Sequence, residues 1–222
     1  MFTHKCYIFI MQKKRVIVHK IACGVTIAVS IILSITMLVT ADTNLTTGEP
    51  INIRTDAFSV IGFANREMFF IWGVATGLAV FLNLRLLAVR LGLVHRWFTA
   101  LLAFGCSMTL VTVSVMGYDS IARPIHVGSA ALFGFCTAIS LIIILVKKLK
   151  KNKRITSMYL TIFAMTAVIF VFTTIYVGWL TALTQILLTN ISLVIMFASN
   201  FMEKWPAEIS EEQQCVTCEP VQ

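Results

Sequence analysis

The sequence predicts an all-α integral membrane protein with six transmembrane helices and with both termini in the cytosol. Three observations predict it. Hydrophobic residues make up 58% of the 222 residues and charged residues only 13%, with a mean hydropathy of +0.88; a soluble globule of this length needs about twice that charge to cover its surface. The apolar residues fall in runs long enough to cross about 30 Å of hydrocarbon as helices. Lys and Arg gather in the gaps between alternate runs, the pattern that sets orientation in a bilayer. For the same reason the formal net charge of +8 does not imply nucleic acid, because no solvated basic face is formed. Membrane lipids and other membrane proteins are the expected partners.

Taken in order, residues 1–16 hold Lys5, Lys13, Lys14 and Arg15 and read as a basic cytosolic N-terminus. The apolar run 17–40 is longer than the 7–15 residues of a signal-peptide core and reads as a retained first span. Residues 41–68 form the one long segment expected outside. It contains Asn44-Leu-Thr46, an acceptor sequon for glycosylation, and the short apolar stretch 57–64, which is too short to cross and is expected on the interface. The second span, 68–89, carries Gly73-x-x-x-Gly77, a spacing that lets another helix approach closely, and ends in Asn83, Arg85 and Arg90. Arg85, one turn inside, extends its stem toward the headgroups.

Spans three and four, 98–116 and 125–146, are joined by a polar turn. Pro124 suits the first turn of span four, where a backbone N–H has no partner anyway. The cationic run 147–154 then reads as a stop-transfer signal, with binding of acidic phospholipid headgroups as the alternative. Residues 156–202 are about 47 nearly uncharged positions, roughly 70 Å as one helix, so they must fold back. Gly178 weakens a helix there and Thr181 can cap the next one, giving spans 156–177 and 181–202. Residues 203–222 form a flexible acidic cytosolic tail. With this topology only Arg54, Arg66 and Arg123 among the cations lie outside.

The middles of the spans hold no Asp, Glu, Lys, Arg or His. Proton-coupled transport, charged-ring channels and paired-aspartate proteolysis all need such groups at depth, so these classes are disfavoured. Gln185 and Asn190 in span six read as helix glue, and Gly128 as a further packing position. The one mixed acid–base group at the expected outer face is Asp119, Arg123 and His126; an imidazole there would serve as a general base, as a ligand to a lipid phosphate, or as a satisfied interfacial residue. No catalytic residue is assigned. Cys215-x-x-Cys218 lacks the second ligand pair of a zinc site, no pair of the six cysteines lies in an outer loop, and no nucleotide motif occurs, so neither metal nor cofactor is expected.

Three features together resemble the DRAM/FRAG/SFK family of six-span membrane proteins: the long outer loop with Pro50, the segment Ile121-Ala-Arg-Pro-Ile-His126-Val-Gly-Ser-Ala-Ala-Leu-Phe-Gly-Phe135, and the late span ending Asn200-Phe-Met-Glu-Lys-Trp205. In that family a His opens span four, followed by small residues and a Phe, and His126, Gly128, Ala130 and Phe133 fit the pattern. Two positions differ: Pro50 is followed by Ile51-Asn-Ile-Arg-Thr-Asp56 with no Gly, and Gln185 stands where a Glu is common. The resemblance implies an endomembrane protein of lysosome or Golgi, or a plasma-membrane one. Its role would be in autophagy, in GPI-anchor lipid remodelling, or in phosphoinositide signalling. The shortness of the chain points toward the autophagy-modulator branch, with a small-solute transporter as a remoter expectation.

Overall fold

The computed structural model describes residues 2–40, 50, 52, 54, 57–93, 95–115, 121–177 and 181–202. Among them all regular structure is helical: α1 (Phe2–Thr40), α2 (Phe58–Ala64), α3 (Arg66–Arg90), α4 (Arg96–Ser114), α5 (Ala122–Leu149), α6 (Lys153–Val177), α7 (Ala182–Phe197) and a π-helical turn (Ala198–Met202). Six segments are long and apolar enough to cross a membrane: Ile17–Thr40, Arg66–Arg90, Arg96–Ser114, Ala122–Leu149, Lys153–Tyr176 and Ala182–Met202.

These segments coincide with the six spans read from the sequence, most starting two or three residues earlier. Hydropathy stops at the last apolar residue, whereas a helix continues through Lys and Arg, which are good helix formers. The same physics carries α1 back to Phe2, through the basic stretch that the sequence reading set apart as an N-terminal segment. Thr181 caps α7 as expected, its Oγ1 accepting from the Thr184 N–H at 3.3 Å. Pro124 lies in the first turn of α5.

Helix packing follows from what lipid does not supply. Hydrocarbon is as apolar as leucine, so helices associate through close backbone approach and polar contacts. α3 is the hub, touching α1, α2, α4, α5 and α7, while α4 packs along α5, and α6 against α5 and α7. Half of α3 is buried against 17% of α6. The main core gathers Leu84, Leu87, Phe98, Leu102, Leu141, Ile144, Leu145, Leu193 and Met196 from four helices. A smaller cluster at the other end joins Met37, Phe58, Ile61, Phe69 and Ile186. Here α2 is no free interfacial segment: Phe58, Ile61 and Gly62 are buried against the bundle.

The up-and-down order gives the bundle two ends. At the first, the basic end, α3, α5 and α7 finish and α4 and α6 begin. At the second, the α2 end, α5 and α7 begin and α1 and α4 finish.

Candidate functional site

At the α2 end the first turn of α5 places His126 against the end of α4. Its Nδ1 is 2.7 Å from the carbonyl oxygen of Thr112. That oxygen belongs to the last turn of α4, where carbonyls have run out of intrahelical donors. A carbonyl only accepts, so Nδ1 carries the proton in this bond, and Nε2 is the acceptor of the neutral ring. Thr112 Oγ1 and Ser129 Oγ lie 2.9 Å apart, and Ser129 Oγ donates to the His126 carbonyl at 3.0 Å. The imidazole sits 6.4 Å from the Phe69 ring, beside the stack Phe69–Trp72 at 5.4 Å and its edge partner Phe58, 4.8 Å from Trp72. His126 is therefore fastened between two helices and an aromatic wall.

The rest of the expected outer group does not assemble around it. Arg123 is exposed on α5, and no hydrogen bond among the described residues joins it to His126. Asp119 and Asn44 lie outside the described residues. Gly73 and Gly77 do face α4: a Cβ on Gly73 would meet Val113 Cγ1, and one on Gly77 would meet Thr109 Oγ1 and stand 3.3 Å from the Cys106 carbonyl. Gly128 is different. Among the described residues nothing lies within 4 Å of where its Cβ would be, so none of them packs against it. It falls on the outward side of α5, because the helix turns Ser129 inward instead.

The two span-six amides act between elements. Gln185 Oε1 accepts from the Phe58 N–H at 3.2 Å, holding the start of α2, and Asn190 Nδ2 donates to Ser34 Oγ at 3.2 Å, tying α7 to α1. Ser30 and Thr76 make a similar link between α1 and α3, at 2.6 Å.

The basic end holds a buried polar network that sequence reasoning missed. Asn83 Nδ2 donates to the Ala79 carbonyl at 2.8 Å and to the Cys23 carbonyl of α1 at 3.3 Å. Asn200 Nδ2 donates to Asn83 Oδ1 at 2.9 Å, and Arg90 donates to the Asn200 carbonyl at 2.9 Å. One residue earlier, Ser199 Oγ accepts from Lys148 Nζ at 2.9 Å, and that ammonium also sits 5.0 Å from the centroid of the Tyr159 ring. Two cations thus hold consecutive residues of the π turn. Its wider winding presents Ala198, Ser199 and Asn200 all to the interior.

Lys148 departs from the rest of the cationic run 147–154, being only 2% exposed. The reason is helical phase. α5 continues to Leu149, and the face that buries Leu141, Ile144 and Leu145 returns at Lys148. That continuation was the available signal. Arg85, also read as snorkelling, donates to Thr99 Oγ1 at 2.9 Å.

Outside these ends, an open groove of about 290 Å³ runs between α1 and α3, lined by apolar residues such as Val25, Val29, Phe70 and Val74 with Thr26. Thr26 Oγ1 donates to its own helix, so the groove presents shape without chemistry. No group of three or more His, Cys, Asp or Glu able to hold a metal occurs among the described residues. Comparison with family models, with curated proteins and with solved structures finds no match.

Proposed function

We propose that this chain is a non-enzymatic multi-pass protein of the endomembrane system, acting in the manner of the autophagy modulators of the DRAM type. The observation that carries the reading is the position of His126. The sequence offered it as a general base, a phosphate ligand or a satisfied interfacial residue, and in the structure its Nδ1 is committed to the Thr112 carbonyl and its ring is packed beside Phe69. The same bond leaves Nε2 as the acceptor of the ring; its visible work is structural, supplying a donor from α5 to the open end of α4. The other buried polar pairs, Ser30–Thr76, Ser34–Asn190 and Asn83–Asn200, likewise join helix to helix. Chemistry spent on assembly favours a scaffold or modulator over a catalyst.

The test is a tagged chain in cells, followed for location and for GPI-anchor lipid composition, with His126→Ala alongside. The reading expects a lysosomal or Golgi location, unchanged anchor lipids in the variant, and a glycosidase-sensitive mass shift from Asn44 if loop 41–68 is lumenal. Altered anchor lipids with expression and location intact would move the assignment to lipid remodelling.

A further inference from the structure

We propose that the cluster beneath α2 is a binding site for a glycerolipid, held by its ester carbonyl oxygens. This goes beyond the functional reading above and does not depend on it. Two hydrogen-bond donors in this cluster are left unpaired by the fold. Trp72 Nε1 is buried and has no hydrogen-bond partner among the described residues. Gln185 gives its Oε1 to the Phe58 N–H, which fixes the orientation of the amide, and its Nε2 likewise has no partner among the described residues. Both donors stand around one residue: Trp72 meets the Phe58 ring edge-on at 4.8 Å, and Gln185 Oε1 is 3.2 Å from the Phe58 nitrogen.

A buried donor with no acceptor is costly, and native structures rarely keep one without a reason. Elsewhere in this bundle the buried amides are paired: Asn83 with Asn200, and Asn190 with Ser34. The cluster around Phe58 is wholly apolar and holds no cation. A phosphate or carboxylate would have to leave water to reach it with no opposite charge to meet, whereas an uncharged carbonyl oxygen loses far less. Peptide carbonyls of another spanning helix are already taken by that helix. A glycerolipid carries two ester carbonyls side by side, each an acceptor only, one for each donor.

Depth agrees with this chemistry. Trp72 lies in the second turn of α3 and Gln185 in the first turn of α7, close to where hydrocarbon gives way to the headgroup layer and where indole rings of membrane proteins collect. Lipid esters are the carbonyls found at that boundary. α2 is the cover of the site. Its seven residues bury Phe58, Ile61 and Gly62, and one non-helical residue, Asn65 at φ −135° and ψ 72°, joins it to α3. Rotation at Asn65 and release of Phe58 from Gln185 lift α2 as a unit, which brings Trp72 Nε1 within reach of a carbonyl.

The full chain is reconstituted in nanodiscs holding equal amounts of a diacyl phosphatidylcholine and its dialkyl-ether analogue, which lacks both carbonyls, and the lipids it retains are counted by native mass spectrometry. The wild type is expected to keep the ester lipid over the ether lipid by about fivefold, the factor of one net hydrogen bond. Trp72→Phe keeps an aromatic body and removes the N–H; it should lose the preference while its melting temperature in detergent does not fall, which separates lost binding from lost folding. Gln185→Glu keeps an acceptor for the Phe58 N–H, removes the amide donor, and should lower the preference as well. Equal retention of the two lipids by the wild type overturns the proposal. An ester preference that survives in both variants also overturns it, by placing the bound lipid elsewhere on the bundle. Cholesterol at an equal share tests the other uncharged acceptor: if it displaces the ester lipid from the wild type but not from Trp72→Phe, the ligand is a sterol hydroxyl and the ester assignment falls.

Discussion

Asn200 Nδ2 donates to Asn83 Oδ1 at 2.9 Å, with both residues at most 1% exposed, so two amides 117 positions apart fasten the end of α7 to α3. Such a pair is worth little when made and much when half broken. Replacing one partner strands the buried groups of the other, which costs about 1–3 kcal/mol. Asn200→Leu or Asn83→Leu alone should therefore lower the thermal midpoint in detergent. The double variant should cost less than the sum of the singles by about 1 kcal/mol, because it removes both ends of the bond. Strict additivity would mean that the two amides are not coupled.

The glycines of α3 and α5 should respond in opposite ways. Gly73→Ala drives a methyl into Val113 and Gly77→Ala drives one into Thr109, overpacking that costs typically 1–3 kcal/mol. Gly128→Ala meets open space and should be neutral or stabilising by up to about 1 kcal/mol, since Ala favours the helix. Gly73→Ala combined with Val113→Ala should recover part of the loss. Chemical or thermal unfolding of the set in one detergent gives the comparison; a destabilising Gly128→Ala would reveal a packing partner beyond the described residues.

Much of this architecture was legible in the sequence because the bilayer imposes a length on every crossing. Hydropathy located six spans, and the capping role of Thr181, the close approach at Gly73 and Gly77 and the gluing amides Gln185 and Asn190 followed from local chemistry. What escaped depends on phase and on partners far away in the chain. Lys148 looks like its neighbours Lys147 and Lys150 until the rotation of α5 is known. Asn83 and Asn200 are each an amide near a span end, and nothing local announces that they meet. His126 was visible as a candidate. Its commitment to Thr112 is a tertiary fact, set by how α4 lies along α5.

The inward turn of Lys148 makes a sharp distinction within one cationic run. Ser199→Ala removes an acceptor from a buried ammonium, and hydrogen bonds to charged groups contribute about 1.5–3 kcal/mol. Stability should fall by an amount of that order. Lys147→Met, at an exposed position one residue away, should stay within about 0.5 kcal/mol of wild type. Melting curves of the two variants decide it: equal effects would mean that the whole run is solvated.

Two substitutions at His126 separate its structural role from a catalytic one, because Asn and Gln carry a nitrogen at different distances from the backbone. The Asn amide nitrogen lies at the δ position and can replace the Nδ1–H donor to the Thr112 carbonyl; the Gln nitrogen lies at the ε position and mimics the other side of the ring. If the ring serves as a helix clamp, His126→Asn should keep near wild-type stability, while His126→Gln and His126→Ala each lose about 1 kcal/mol, the usual net value of one hydrogen bond. Neither amide accepts and releases a proton near neutral pH, so a general base would be abolished by both. The measurement is therefore paired: thermal midpoints for the three variants, and membrane lipid composition in cells that express each as their only copy. Stability graded Asn above Gln and Ala, with lipids unchanged throughout, is the expected result. Lipids altered alike by Asn and Gln, despite different stabilities, would place the proton of His126 at the centre of a reaction.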